Sequence, residues 1–275
     1  MVIGQDSMKI ATWNVNSIRS RLTHVLDWLE SSAVDVLCVQ ETKVPDEVFP
    51  RSPFEEKGYH LYISGQKSYN GVALISRLPL ENVTYGFSAV LGGTEALEDA
   101  QQLDAQKRVI TGVIAPGIRL VNLYVPNGSS VGSEKYEYKL RWFGVLQQYL
   151  SQLKAEGQPI LMCGDFNIAL EDRDICEPDN KGDHIMASSV ERTVLQSVLE
   201  LGFADAFRKF TEETGHYSWW DYRAASFRRN LGWRIDHHYL TPDLYEKAVG
   251  CVIDKEPRSL PQPSDHTPVI VELAL

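Results

Sequence analysis

Short apolar runs that stop abruptly at polar residues constrain this chain more than any other feature. MKIATWN (8–14), VDVLCVQ (34–40), GVALIS (71–76), RVITGVI (108–114), IRLVNLYV (118–125), PILMCGDF (159–166), RIDHHYL (234–240) and PVIVEL (268–273) are bounded by turn residues. They are too short for independent helices and predict strands. Within 118–125, the set Ile118, Leu120, Asn122, Tyr124 and the set Arg119, Val121, Leu123, Val125 both carry apolar side chains. Such a strand is covered on both faces.

Helical period shows in three segments. Residues 20–32 place Leu22, Val25, Leu26 and Leu29 on one face. Residues 133–156 run from Ser133 to Gly157, with Leu140, Phe143, Leu146, Leu150 and Leu153 forming a stripe. A third helix opens on the capping box Ser188-Ser189-Val190-Glu191 and closes at Gly202. Many strands, few helices and no strict βαβ alternation predict an α+β fold of stacked sheets flanked by helices. No linker or low-complexity tract divides the chain, so one domain is expected over 8–275, with 1–7 as a leader or extended start. VDVLCVQETK and QPILMCGDFN echo each other as apolar strands running into an acid, and side by side they would bring acids to one edge of the core.

With 43% hydrophobic and 23% charged residues, the chain has ample material for a core, which excludes bulk disorder. No apolar run approaches the roughly 18 residues of a membrane helix, and MVIGQDSMKI lacks the pattern of a secretory signal. Cys38, Cys163, Cys176 and Cys251 have no CxxC spacing and are expected as reduced thiols in the cytoplasm. The net charge of −10, from 27 basic and 37 acidic residues, argues at first sight against a nucleic-acid partner.

Chemistry concentrates at strand ends. Thr12-Trp13-Asn14-Val15-Asn16, Gln40-Glu41-Thr42-Lys43, Asn122 to Asn127, Gly164-Asp165-Phe166-Asn167, Trp233-Arg234-Ile235-Asp236 and Ser264-Asp265-His266 all interrupt apolar runs. Amides and carboxylates are depleted in strands and costly to bury unpaired. Any one of them alone reads as a turn residue; six sites of this kind on separate termini point to a catalytic edge. Glu and Asp with Asn suit Mg²⁺ or Mn²⁺, whereas no Cys/His cluster offers a zinc cage. Asp-His adjacency, with Asp236 elsewhere, supplies the parts of an imidazole held by a carboxylate. GxSxG and GxxxxGK[ST] are both absent, which excludes a nucleophile-elbow hydrolase and a P-loop kinase.

WNVNSIRSR, QETK, GVALISR, YVPNG, GDFNIA, YSWWDYR, NLGWRIDH and SDHTPV occur in that order from about Met8 to Leu273. In these motifs the chain resembles the exonuclease III group of the endonuclease/exonuclease/phosphatase superfamily. GDFN and SDH are shared across that superfamily; the run Tyr217–Asp236 is what resembles the DNA-repair branch. The resemblance implies a four-layer α/β sandwich of two mixed sheets, DNase I-like. It also implies Mg²⁺- or Mn²⁺-dependent cleavage of DNA 5′ to abasic sites and 3′-5′ exonuclease action. The expected partner is double-stranded DNA with abasic sites or 3′ ends, met by a monomer away from membranes.

Position by position, the resemblance makes Glu41 the main metal ligand, with Asn14 close by and Asp265 assisting. Asp165 matches the residue that activates or orients water, with Asn167 beside it. Tyr124 and Asn127 match phosphate-contacting positions, as Lys43 does. His266, steadied by Asp236, would stabilise the developing negative charge. Trp219, Trp233 and Ile235 match an abasic-sugar pocket, although large aromatics such as Trp219, Trp220 and Trp233 are often plain core. Arg223, Arg228 and Arg234 would meet phosphates, although Arg228 and Arg229 also suit a solvated loop. The loop after Asn127 (GSSVGSEK) has no counterpart of the DNA-inserting Arg of vertebrate relatives, which leaves the balance of endonuclease to exonuclease action open. His237 and His238 receive no role.

Two other readings compete: a phosphoesterase acting on a sphingolipid or inositol phosphate, and a binding module that kept the fold but lost catalysis. A non-catalytic relative should have lost its acids, yet Glu41, Asp165, Asp236 and Asp265 are all present. Because a bound divalent ion inverts the local field, the expectation is an acidic protein with a positive DNA face and weak, salt-sensitive binding.

Overall fold

The computed structural model describes residues 7–178 and 184–275. Two six-stranded mixed sheets stack face to face. One runs in the order β11 (Ala248–Ile253), β12 (Val269–Ala274), β1 (Ser7–Asn14), β2 (Val36–Gln40), β4 (Val72–Ser76) and β3 (His60–Ser64). The other runs β5 (Glu81–Tyr85), β6 (Val109–Ile114), β7 (Ile118–Tyr124), β8 (Ile160–Asp165), β10 (Asp236–Leu240) and β9 (Ala204–Asp205). The described residues also form seven α-helices, α1 (Leu22–Ser32), α2 (Ser52–Glu55), α3 (Ser88–Leu91), α4 (Leu97–Leu103), α5 (Glu134–Ala155), α6 (Ser189–Leu199) and α7 (Pro242–Lys247), besides short 3-10 turns. Ser7, expected in a leader, already pairs with Ala274 in β1, and the rest of that leader lies outside the described residues.

Strand alternation builds four layers. Ile10, Val36, Cys38 and Leu74 of the first sheet meet Ile118, Leu120, Leu161 and Cys163 of the second in an inter-sheet core. The opposite set of the first sheet, Ala11, Trp13, Leu37 and Val39, packs on Val25, Trp28 and Leu29 of α1. Val121, Leu123 and Met162 face Phe143, Leu146, Leu150 and Leu153 of α5 and Leu195 and Val198 of α6. The two-sided strand expected at 118–125 is therefore β7, covered by a sheet and by helices. Leu140 of the α5 stripe is only half-buried. The capping box at α6 is formed: Ser188 and Glu191 each accept from the other's backbone N–H.

Two parallel pairs place the strand ends that matter. β1 runs parallel to β2, and β7 parallel to β8; every other pairing is antiparallel. Asn14, Gln40, Tyr124 and Asp165 therefore finish their strands along one edge of the stack. β10 begins there, with Asp236 opposite Asp165, and β12 begins three residues after His266. The echo strands β2 and β8 lie in different sheets, each the second member of its own parallel pair, and both end at the acidic edge.

The approach of β7 to β8 is close at Gly164, which has φ of 146° and would place a Cβ 1.9 Å from the Leu123 carbonyl oxygen. No side chain fits without moving the strand that carries Asp165. Gly164→Ala is expected to lower the unfolding free energy by about 1–3 kcal/mol, read as a lower urea midpoint at unchanged slope. An unshifted midpoint would mean that the two strands part freely.

Candidate active site

Backbone strain gathers at the strand ends. Asn16, Glu41, Lys43 and Asn167 all hold left-handed backbone, with φ of 45°, 54°, 57° and 49°. For Glu and Lys that conformation is uncommon and persists where surroundings over-determine it. Here the turns aim successive side chains at one cleft.

Asn14 bridges the sheets at this cleft. Its Nδ2 donates to Glu41 Oε1 at 3.0 Å and to Asp165 Oδ2 at 2.9 Å, while its Oδ1 accepts the Asn16 N–H at 3.0 Å. Asn14 thereby turns its oxygen to a backbone donor and its N–H groups to the two carboxylates, linking Glu41 to Asp165. Glu41 also accepts the Tyr124 hydroxyl at 2.7 Å and pairs with Lys43 at 2.8 Å. Burial alone would raise the Glu41 carboxyl; the Lys43 charge and bonds from Asn14, Lys43 and Tyr124 outweigh it and hold it below its usual value. Burial and the Glu41 charge push the Tyr124 hydroxyl well up, so it keeps its proton.

Asp165 faces a second charged group. Its Oδ1 accepts the Asn167 N–H at 2.9 Å, and its Oδ2 lies 3.7 Å from His266 Nε2. His266 Nδ1 is 2.9 Å from Asp236 Oδ2, which also accepts the Ser218 hydroxyl at 2.6 Å. Burial pushes the Asp165 carboxyl up to about 7 against the pull of His266, with Asp236 adding to the rise. For His266, burial opposes the charge, but the Asp236 and Asp165 carboxylates prevail and lift it to about 10. Asp165, Asp236 and His266 could be taken for a metal cage, since their ligand atoms lie within 4.8 Å of one another. The trio also suits proton sharing, because a carboxylate oxygen stands near each ring nitrogen of His266. A further set of oxygen donors lies on the Glu41 side, a hard set suited to a divalent cation. There Lys43 spans Glu41 and Asn16, and Asn16 Nδ2 donates to Asp265 Oδ1 at 3.0 Å.

Asn127 is exposed and donates to Asn167 Oδ1 at 3.0 Å, so the two expected phosphate amides stand together. An open groove of about 680 Å³ leads away from Tyr124 and Asn127 past Asn70, Arg108 and Lys135. Trp219, Trp233 and Ile235 fall in one apolar cluster with Ala169, Ile175 and Met186. Trp219 is half-buried and donates through Nε1 to Asp265 Oδ2 at 3.0 Å, which joins the cluster to the acidic edge. Trp220, by contrast, is fully buried.

A family model described as the endonuclease/exonuclease/phosphatase family matches residues 11–266. The chain belongs to that family. Among its relatives, an exodeoxyribonuclease III of Haemophilus influenzae is 33% identical over 96% of this chain and 99% of its own length. Two solved structures cover 98% of this chain and 100% of their own: an AP endonuclease from Archaeoglobus fulgidus, 40% identical with a TM-score of 0.89, and a 3′-5′ exonuclease from Neisseria meningitidis, 39% identical with a TM-score of 0.91.

Within this family member, one expected phosphate contact is corrected. Arg234 is not at the surface: only 1% of it is exposed, and it bonds Asp174 Oδ1 through Nε and Asp205 Oδ2 through Nη2, both at 2.7 Å. Burial opposes the Asp174 charge, but Arg234 outweighs it and holds that carboxyl at about 2. Arg234 therefore braces the strand entry. Arg223 and Arg228 are exposed on the 221–229 loop. His237 and His238 are core rings, with Nε2 bonded to the Ile168 and Val269 carbonyls respectively, each at 2.9 Å. Sequence reasoning missed Ser218, which orients Asp236, and Asn16; a polar residue directly before the Trp219-Trp220 pair and the second Asn of WNVN were the available signals.

His266 should remain protonated at pH 8, with its titration near pH 10. Because the folded value is raised, its stabilising contribution is complete below the unfolded value of 6.5 and is lost as pH rises through about 10. In ring-nitrogen NMR titrations, Asp236→Asn should bring the midpoint down by about 1–3 units. An unmoved midpoint would exclude Asp236 as the cause.

Proposed function

We propose that this chain is a divalent-metal-dependent DNA-repair phosphodiesterase. On this reading it hydrolyses DNA 5′ to abasic sites, leaves a 3′-hydroxyl, and removes nucleotides or blocking groups from 3′ ends in base excision repair. The observation that carries it is Asp165 set between His266 and the Asn14–Glu41 pair, beside an apolar cluster.

A phosphodiester is anionic and repels nucleophiles. Glu41, assisted by Asp265, would hold Mg²⁺ or Mn²⁺, which neutralises that charge when bound. Asp165, with its carboxyl at about 7, takes the proton of the attacking water. His266, fixed by Asp236, donates to a non-bridging oxygen as charge grows there. Asn127 and Asn167 bind the same phosphate, and Tyr124 keeps a proton facing the Glu41 side. The strand's phosphates follow the groove past Arg108 and Lys135, while Lys43, Arg223 and Arg228 supply further positive charge. An abasic sugar lacks a base, so the Trp219–Trp233–Ile235 cluster admits it and rejects a full nucleotide by size. Residues 8–275 act on this reading as one catalytic domain, a monomer working in the cytoplasm. Among the described residues no helix is long and apolar enough to cross a membrane.

Purified protein should nick a duplex with a single abasic site on its 5′ side when Mg²⁺ or Mn²⁺ is present, and EDTA should stop it. Asp165→Asn should slow the cut by about 10²–10⁴-fold. An intact abasic duplex under these conditions removes the reading. Trp233→Ala should weaken abasic cleavage by about tenfold or more relative to trimming of undamaged 3′ ends; equal losses on both substrates would take the pocket away from Trp233.

A further inference from the structure

Behind the Asn127–Asn167 amide pair lies a buried charge that the reaction above does not use. Lys139 of α5 falls on the inward stripe between Tyr136 and Phe143, and neither its side chain nor that of Glu191 in α6 is exposed at all. An ammonium taken out of water costs several kcal/mol unless it is paired and its donors are satisfied. Lys has three donors, and here each has a partner: Glu191 Oε1 at 2.6 Å, the Asn167 carbonyl at 2.8 Å and the Asn127 carbonyl at 3.2 Å. Glu191 is equally occupied. Its Oε1 also accepts the Met186 N–H at 3.0 Å, and its Oε2 accepts the Ser188 N–H at 3.1 Å and hydroxyl at 2.7 Å.

The loops carrying Asn127 and Asn167 are thus joined in front by the amide–amide bond and by the Asn167 Nδ2 bond to the Val125 carbonyl at 3.0 Å, and behind by the ammonium. Asn167, in left-handed backbone, has its carbonyl turned inward to the point where Lys139 meets it. On the far side, Met186 belongs to the apolar cluster with Trp233 and Ile235, and its carbonyl accepts the Ala169 N–H at 2.8 Å. One ion pair therefore ties the amide pair to the apolar cluster. An apolar residue in place of Lys139 fills the space but leaves two loop carbonyls without donors.

We propose that Lys139, neutralised by Glu191, is a positioning residue that fixes the spacing of the Asn127 and Asn167 amides relative to the apolar cluster. This rests on the phosphodiesterase reading above. The test compares full-length wild type, Lys139→Met and the double variant Lys139→Met/Glu191→Gln by thermal melting, by Mg²⁺-supported cleavage of abasic duplex, and by hydrogen exchange over 125–129 and 166–170. Lys139→Met strands a buried carboxylate and should lower Tm by about 5–15 °C. Removing both charges together should restore most of Tm. In the double variant kcat should stay about 10–100-fold down, with KM little changed and both loops exchanging faster. Recovery of kcat along with Tm would make the pair purely structural and overturn the proposal, as would wild-type exchange in both loops. Should neither methionine variant fold, Glu191→Gln alone should give a smaller kcat loss and faster loop exchange; no change in either counts against the proposal. A wild type that cuts no DNA defeats the phosphodiesterase reading, while exchange still decides whether Lys139 holds the two loops.

Discussion

Two side-chain amides buried between the sheets fix how one sheet lies on the other. Gln40 Nε2 donates to Asn122 Oδ1 at 2.7 Å and to Thr12 Oγ1 at 2.9 Å, and Asn122 Nδ2 donates to the Val39 and Ala73 carbonyls, both at 3.0 Å. All these groups are buried, so losing a partner costs the desolvation of a polar atom, about 1–3 kcal/mol. Apolar side chains between sheets tolerate a slide; this network does not, because a shift of one residue pair breaks several bonds together. Gln40 precedes Glu41, and Asn122 stands two residues before Tyr124. The stagger that satisfies the amides therefore also places the Tyr124 hydroxyl on the Glu41 carboxylate.

From that stagger the charges of the site follow in an alternating row. Lys43 sits on Glu41, the Asn14 amide separates Glu41 from Asp165, and His266 separates Asp165 from Asp236. Three carboxylates could not lie this close in a buried cleft without something positive or donating between each pair. The order also divides the labour. The carboxylate beside lysine is held low and suits a cation, whereas the one beside the imidazole is raised and suits a proton. Both acids lie at the ends of equivalent parallel strands, so their difference comes from their surroundings: Lys43 and bonds from Asn14, Lys43 and Tyr124 hold Glu41 low, whereas burial and nearby Asp236 raise Asp165 against the pull of His266.

The sequence revealed strand cores more readily than strand edges. All eight apolar runs became strands, and the two-sided pattern of 118–125 was enough to place β7 between a sheet and helices. The strands it did not reveal were β3, β5, β9 and β11, the four sheet edges, where one flank has no partner and composition relaxes: β5 reads Glu-Asn-Val-Thr-Tyr. The candidate site was legible because its residues interrupt apolar runs at strand ends. What could not be read was direction. Arg234 lies among surface arginines in sequence, yet it is turned inward by Asp174 and Asp205, sixty and twenty-nine residues away. Asn14 is at the right place, but only three-dimensional neighbours decide whether its oxygen or its nitrogen meets the acids. Lys139 had a weak signal, a single charge on an apolar helical stripe, and its meaning depends on Glu191, which sequence explains fully as a cap.

The same pairing changes what the net charge of −10 means. That count assigns histidines no charge and every acid a full one. Inside the fold Asp174 and Asp205 are answered by Arg234 and Arg208, Glu191 by Lys139, Glu41 by Lys43, and Asp165 and Asp236 by a protonated His266. These six of the 37 acids are answered at short range, where solvent screens little, but their Arg and Lys partners are used up with them, so the rest of the surface stays negative. A polyanion that approaches the cleft meets exposed Arg223, Arg228 and Arg229 on one loop and, along the groove, exposed Lys135 with half-buried Arg108. Long-range repulsion from the rest of the surface still acts, and salt attenuates it over about 10 Å. Attraction local to the cleft combined with repulsion elsewhere favours brief, oriented encounters over lengthwise coating of a strand.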